Sequence, residues 1–158
     1  MTEYSRQYES KYQVRFVDEL GDGKDGRVFK TAHGHAVKFL YDPQSYAYER
    51  RAYQILRQQS IDEISGFQIP RLVRHDDSLL AIEMTIVQAP FIIDFAATRT
   101  PQEFERLEFT DDVMDEREQH WAEVFEDDWP LVQSIRSEFL GRTGLLLLDL
   151  SLNNIRFE

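Results

Sequence analysis

Gly21-Asp22-Gly23-Lys24-Asp25-Gly26-Arg27-Val28 is the stretch on which the fold of this chain turns. Glycines at this spacing let backbone amides approach phosphate oxygens with no Cβ in between. Two kinds of fold use such a loop. A dinucleotide-binding fingerprint needs strand, turn and helix in that order. Here Val28-Phe29 carries the chain into a second apolar strand, so the loop is expected inside a β-hairpin. A bare surface hairpin turn is the competing reading of the motif taken alone.

Upstream of the loop, residues 1–10 are polar and read as a flexible tail. Over residues 11–20, Tyr12, Val14 and Phe16 alternate with polar residues, the period of a half-buried strand. Downstream, residues 27–31 and 35–41 read as strands joined at Ala32-His33-Gly34. Asp42-Pro43 then opens a helix, with Asp42 as cap and Pro43 in the first helical position. Tyr48, Ala52, Ile55 and Leu56 mark its buried face. Two further strands are expected at 70–74 and 79–87 around His75-Asp76-Asp77.

The second half reads as helical. Thr100-Pro101-Gln102-Glu103 has capping-box spacing, opening a helical stretch over 101–125. Asp128 is expected to cap another helix, with Leu131, Ile135 and Phe139 on one face and a stop near Gly141. Residues 145–148 read as a buried segment, and 155–157 as a short strand. The fold class expected is α+β: a five-stranded antiparallel sheet with one helix (11–87) and a reduced helical lobe (88–158).

Three further patterns carry chemistry. Lys38, in Ala36-Val37-Lys38, stands on the strand after the glycine loop, where a lysine can pair with phosphate oxygens as a point charge. Glu49 shares a helix face with Ala52 and Tyr53 and so is expected to face Lys38 and orient it. Asp149-Leu150-Ser151-Leu152-Asn153-Asn154 places Asn five residues after Asp between buried aliphatics. That suits an Asp accepting a hydroxyl proton and an Asn binding a metal. The competing readings are a strand-end lysine, a solvated glutamate, and a turn that uses Asp and Asn for their backbone tolerance.

In this order and spacing, the motifs resemble the protein kinase superfamily. The resemblance covers residues 11–157, with a catalytic-loop-like segment at 147–155. It implies ATP and Mg as cofactors. Gly21, Gly23 and Gly26 would cradle phosphates, and Lys38 would hold the α- and β-phosphates and pair with Glu49. Val28 and Ala36 would cover the adenine. Ile82 would take the gatekeeper position, and the Glu83 carbonyl and Thr85 amide would meet the adenine edge. Asp149 would be the catalytic base and Asn154 a magnesium ligand.

The sequence departs from that family at several points. Leu147 stands where the family has His, and Ser151 where it has Lys. No Asp-Phe-Gly triplet follows Asn154, so the family's principal metal ligand has no replacement at its usual place. Asp94 and Asp112 are candidate acids that no pattern singles out. Three readings stay open: an ATP-binding protein with weak transfer to a protein Ser/Thr hydroxyl, a non-catalytic pseudokinase binding module, and a small-molecule kinase relative.

Composition narrows the partners. With 29 acidic and 18 basic residues the formal net charge is -11, which opposes binding of a nucleic-acid backbone. Residues 108–128 hold many acids and a single Arg117, a surface for a basic partner or simply a solvated helix face. Within them Glu116, His120 and Glu123 could share a helix face as metal ligands. The absence of cysteine excludes disulfides and thiolate sites. The N-terminus lacks an apolar core and no stretch reads as a membrane span, so a cytoplasmic protein is expected. A reduced helical lobe that exposes apolar surface would favour dimerisation.

Overall fold

The computed structural model describes residues 3–158. The elements run α1 (Glu3–Tyr12), β1 (Phe16–Asp22), β2 (Gly26–Thr31), β3 (His35–Leu40), α2 (Pro43–Gln58), β4 (Glu63–Ile64), β5 (Phe67–Gln68), β6 (Leu72–Asp76) and β7 (Ala81–Thr85). They continue β8 (Phe91–Ile92), α3 (Pro101–Glu105), α4 (Asp111–Phe125), α5 (Trp129–Thr143) and β9 (Ile155–Arg156). A five-stranded sheet of order β1-β2-β3-β7-β6 is antiparallel throughout.

The central strand β3 is buried on both faces. Val37 and Phe39 point to one side and pack with Tyr8, Phe16 and Phe29. Ala36 and Leu40 point to the other and pack with Tyr46, Ala52, Tyr53 and Leu56 of α2. Strand alternation therefore puts Lys38 on the α2 side. Asp42 caps α2 as its sequence indicates, accepting from the backbone amides of Gln44 and Ser45 at 2.9 Å.

The expected tail is a helix. Tyr8 and Tyr12 lie one turn apart, which suffices to give a polar segment one apolar face. Tyr8 is fully buried and donates to Glu83 at 2.7 Å. Lys11 and Tyr12 both donate to Asp76 Oδ2, at 2.6 and 2.8 Å. These contacts hold α1 against β6 and β7, and the first strand accordingly starts at Phe16 rather than at residue 11.

A second sheet, of order β4-β5-β8-β9, crosses the expected lobe boundary at 87. It joins residues 63–68 to 91–92 and 155–156, and one hydrophobic cluster extends from Ala36 through Ile155. The helical stretch expected over 101–125 is interrupted: α3 ends at Glu105 and α4 starts at Asp111. The Thr100–Glu103 capping box is present, and Glu103 also takes Arg51 of α2 in a two-pronged ion pair of 2.7 and 2.8 Å. Asp128 does not cap α5 through its side chain, because a 3-10 turn at Glu126–Asp128 leaves it in helical backbone geometry. α5 runs past Gly141 and stops at Gly144, whose φ of 72° is the left-handed conformation that glycine adopts freely.

Candidate phosphate and metal site

Lys38 lies within the interior with its ammonium 2.8 Å from Glu49 Oε2 and 3.1 Å from Asp94 Oδ2. Burial alone would lower the lysine's pKa, but the carboxylates of Glu49 and Asp94 outweigh it and push it up to about 12. Glu49 is 1% exposed, so burial raises its carboxyl to about 7 against the opposing pull of Lys38, with Asp94 adding to the rise. The lysine is thus fixed as a cation, held between α2 and the segment after β8.

Asp94 is the residue of this cluster that the linear reading does not single out. Ile92 pairs with Ile155 of β9, and the amide of Ile93 donates to the carbonyl of Asn154 at 2.8 Å. Phe95 is fully buried, edge-on to Tyr53 of α2 and stacked on Phe139 of α5. Between these anchors Asp94 adopts a φ of 67°, a conformation that Asp tolerates better than most residues, and its Oδ1 accepts from the Ala96 amide at 3.3 Å. Its segment, Ile92-Ile93-Asp94-Phe95-Ala96, precedes the Asp149–Asn154 loop in the chain.

Asp149 and Asn154 come together as expected. The Asn154 side-chain amide donates to Asp149 Oδ2 at 2.9 Å and to its carbonyl at 3.3 Å, leaving the Asn154 amide oxygen for another partner. Burial raises the Asp149 pKa, and the negative charges of Asp94 and Asp25 raise it further. Carboxylate oxygens of Asp25, Asp94 and Asp149 lie within 4.8 Å of one another. This all-oxygen donor set fits a hard cation such as Mg²⁺, which takes carboxylates and phosphate oxygens together. Among the described residues, Glu116, His120, Glu123 and Asp112 do not gather in such a group.

One cavity of about 1150 Å³ is lined by Gly21, Gly23, Gly26, Val28, Ala36, Lys38, Glu49, Asp94, Asp149 and Asn154. The glycines are not equivalent. A Cβ on Gly26 would meet the Phe39 carbonyl oxygen at 2.3 Å, whereas one on Gly21 would meet nothing within 4 Å and one on Gly23 only the Gly26 carbonyl at 4.0 Å. Gly26 is required by the sheet, and Gly21 and Gly23 leave their space open.

The residues expected at the adenine edge divide along and after β7. Ile82 and Glu83 do not line the cavity; Met84, Thr85, Ile86 and Val87 do. Glu83 faces α1, where it accepts from Tyr8 and pairs with His35 at 2.8 Å and Arg74 at 2.9 Å. The Thr85 amide is already donated to the Arg71 carbonyl at 3.0 Å, so it is not free for a base. Met84 stands opposite Ala36 in the β3–β7 register and lines the cavity, whereas Ile82 stands opposite Lys38 and does not.

No helix among the described residues is long and apolar enough to cross a membrane. No family model matches the sequence, and no curated protein matches it. Solved structures do. The streptomycin-ATP-APH(2")-IIa ternary complex is 15% identical, over 82% of this chain and 39% of that one, with a TM-score of 0.45. The ADP-bound aminoglycoside phosphotransferase APH(2'')-Ib is 13% identical, over 96% and 42%, with a TM-score of 0.47. The chain spans about two fifths of the length of each. On its own geometry, with the β3 lysine paired to an α2 glutamate beneath a glycine hairpin and facing an Asp-to-Asn loop, the chain has a protein-kinase-like fold.

Proposed function

We propose that this protein binds ATP with magnesium and transfers the γ-phosphoryl group to the hydroxyl of a small-molecule acceptor. The observation that carries the reading is the convergence of Lys38, Glu49, Asp94, Asp149 and Asn154 in the cavity roofed by the glycine hairpin. Few other chemistries need a fixed cation, an oxygen-lined cation site and a carboxylate of raised pKa in one place.

In this reading Lys38 holds the α- and β-phosphates while Glu49 keeps the ammonium oriented. The backbone over Gly21 and Gly23 approaches the phosphates. Thr85, Ile86 and Val87 border the adenine, with Val28 and Ala36 against its faces. Asp94 and the Asn154 amide oxygen would hold the metal, with Asp25 close to Asp94 from the glycine loop. The cation supplies charge neutralisation on the phosphates. Asp149 accepts the proton of the acceptor hydroxyl as the new O–P bond forms; the bond from the β,γ-bridging oxygen to the γ-phosphorus breaks, and ADP leaves. The cavity exceeds the roughly 300–1,000 Å³ of an ordinary ligand site and continues past Asp149 to Leu107 and Phe109, which favours a small acceptor bound beside the nucleotide.

The test is thermal unfolding with ATP and with ADP, each with and without magnesium, alongside Lys38→Met. Stabilisation by the magnesium nucleotides that Lys38→Met abolishes supports the reading. Wild-type protein that neither nucleotide stabilises would overturn it. ATP turnover that survives Asp149→Ala would remove Asp149 as base, and binding without turnover would leave a nucleotide-binding module.

A further inference from the structure

The acceptor end of the cavity holds a guanidinium whose role is unassigned. Arg117 is the one basic residue among the acids of 108–128, yet it forms no ion pair among the described residues. Its side chain leaves the acidic surface of α4 and lies across Phe109 and Trp121, 5.5 and 5.0 Å from the ring centroids. There it donates from Nη2 to the Leu148 carbonyl at 3.1 Å, one residue before Asp149. Arg117 lines the same cavity as Asp149, Ser151 and Asn153. An arginine carries five N–H donors, and a single hydrogen bond accounts for one of them.

In a chain of net charge -11, with carboxylates available on the same helix, a cation held on aromatic faces beside the reacting carboxylate is best explained by a ligand that supplies the missing negative charge. We infer that Arg117 binds an anionic group on the acceptor, so that the phosphorylated hydroxyl belongs to a small molecule that also carries a carboxylate or a phosphate. This rests on the phosphotransferase reading above and narrows its substrate class. A polycationic acceptor would meet the wrong charge at this position.

Calorimetric titration of the full chain in saturating MgADP tests this with matched pairs: glucose against glucose 6-phosphate, and glycerol against glycerate. The two pairs distinguish a phosphate from a carboxylate. Wild-type protein is expected to bind the anionic member of at least one pair roughly tenfold more tightly than the neutral one. Arg117→Gln is expected to erase that preference while MgADP still binds. Arg117→Lys keeps the charge but loses the planar fork, and should retain only part of it. No preference in wild-type protein that binds MgADP overturns the inference, as does a preference that both variants leave unchanged. Failure to bind MgADP would instead overturn the nucleotide reading, and this inference with it.

Discussion

The ammonium of Lys38 lies 3.1 Å from the carboxylate of Asp94, although the lysine comes from the centre of the first sheet and the aspartate from the segment after the short strand β8 of the second. What joins them is pairing, not chain order. β8 lies against β9, the Ile93 amide reaches the Asn154 carbonyl, and Phe95 is locked between Tyr53 and Phe139.

The glycines of the hairpin are predicted to separate into two kinds. Gly26→Ala forces a methyl into the Phe39 carbonyl and should cost about 1–3 kcal/mol of stability through overpacking. Gly21→Ala and Gly23→Ala have room for the methyl and should leave the midpoint of urea unfolding nearly unchanged while weakening nucleotide binding. Unfolding curves and ATP titrations of the three variants check this; equal destabilisation by all three would contradict it.

Asp76 is predicted to fasten α1 through its charge. Burial would raise its pKa, but hydrogen bonds from Lys11, Ser78, Tyr12 and the Leu79 amide hold it well below the usual carboxylate range. A carboxyl lowered on folding contributes stability that is present above its unfolded pKa of about 4 and is lost as pH falls below that value. Asp76→Asn should therefore cost roughly 2–4 kcal/mol at pH 7 and flatten the decline in stability at acid pH. Urea unfolding from pH 7 down to pH 3 measures both effects.

Asp149 is predicted to titrate above an ordinary aspartate in the metal-free protein, because it is partly buried and faces Asp94 and Asp25. Asp25→Asn removes one of these charges and should lower its pKa; added magnesium should lower it further. Carbon-detected NMR titration of the Asp149 carboxyl reads the shift directly. A carboxyl that does not move in Asp25→Asn would show that the glycine loop does not reach the site.

Much of the site is legible in the sequence because local rules fix it. Strand alternation sets Lys38 on one face, helix periodicity turns Glu49 toward it, and the interval from Asp149 to Asn154 spans one turn. Asp94 escapes such rules, since its place depends on β8 (Phe91–Ile92) pairing with the sequence-distant β9 (Ile155–Arg156). Helix α1 escapes for another reason: its apolar face is little more than Tyr8 and Tyr12, and polar composition masks it. Glu83 does not line the cavity because Glu83 and Met84 are neighbours on opposite faces of a strand. Only the sheet order shows that the Glu83 face belongs to α1.

Asp94 is predicted to complete the nucleotide site from a segment that precedes the Asp149–Asn154 loop in the chain. Calorimetric titration of ATP into wild type and Asp94→Asn, each with magnesium and with EDTA, tests it most directly. Magnesium should tighten ATP binding to the wild-type protein, and Asp94→Asn, still folded, should lose most of that gain. An Asp94→Asn protein whose magnesium dependence matches the wild type would contradict it.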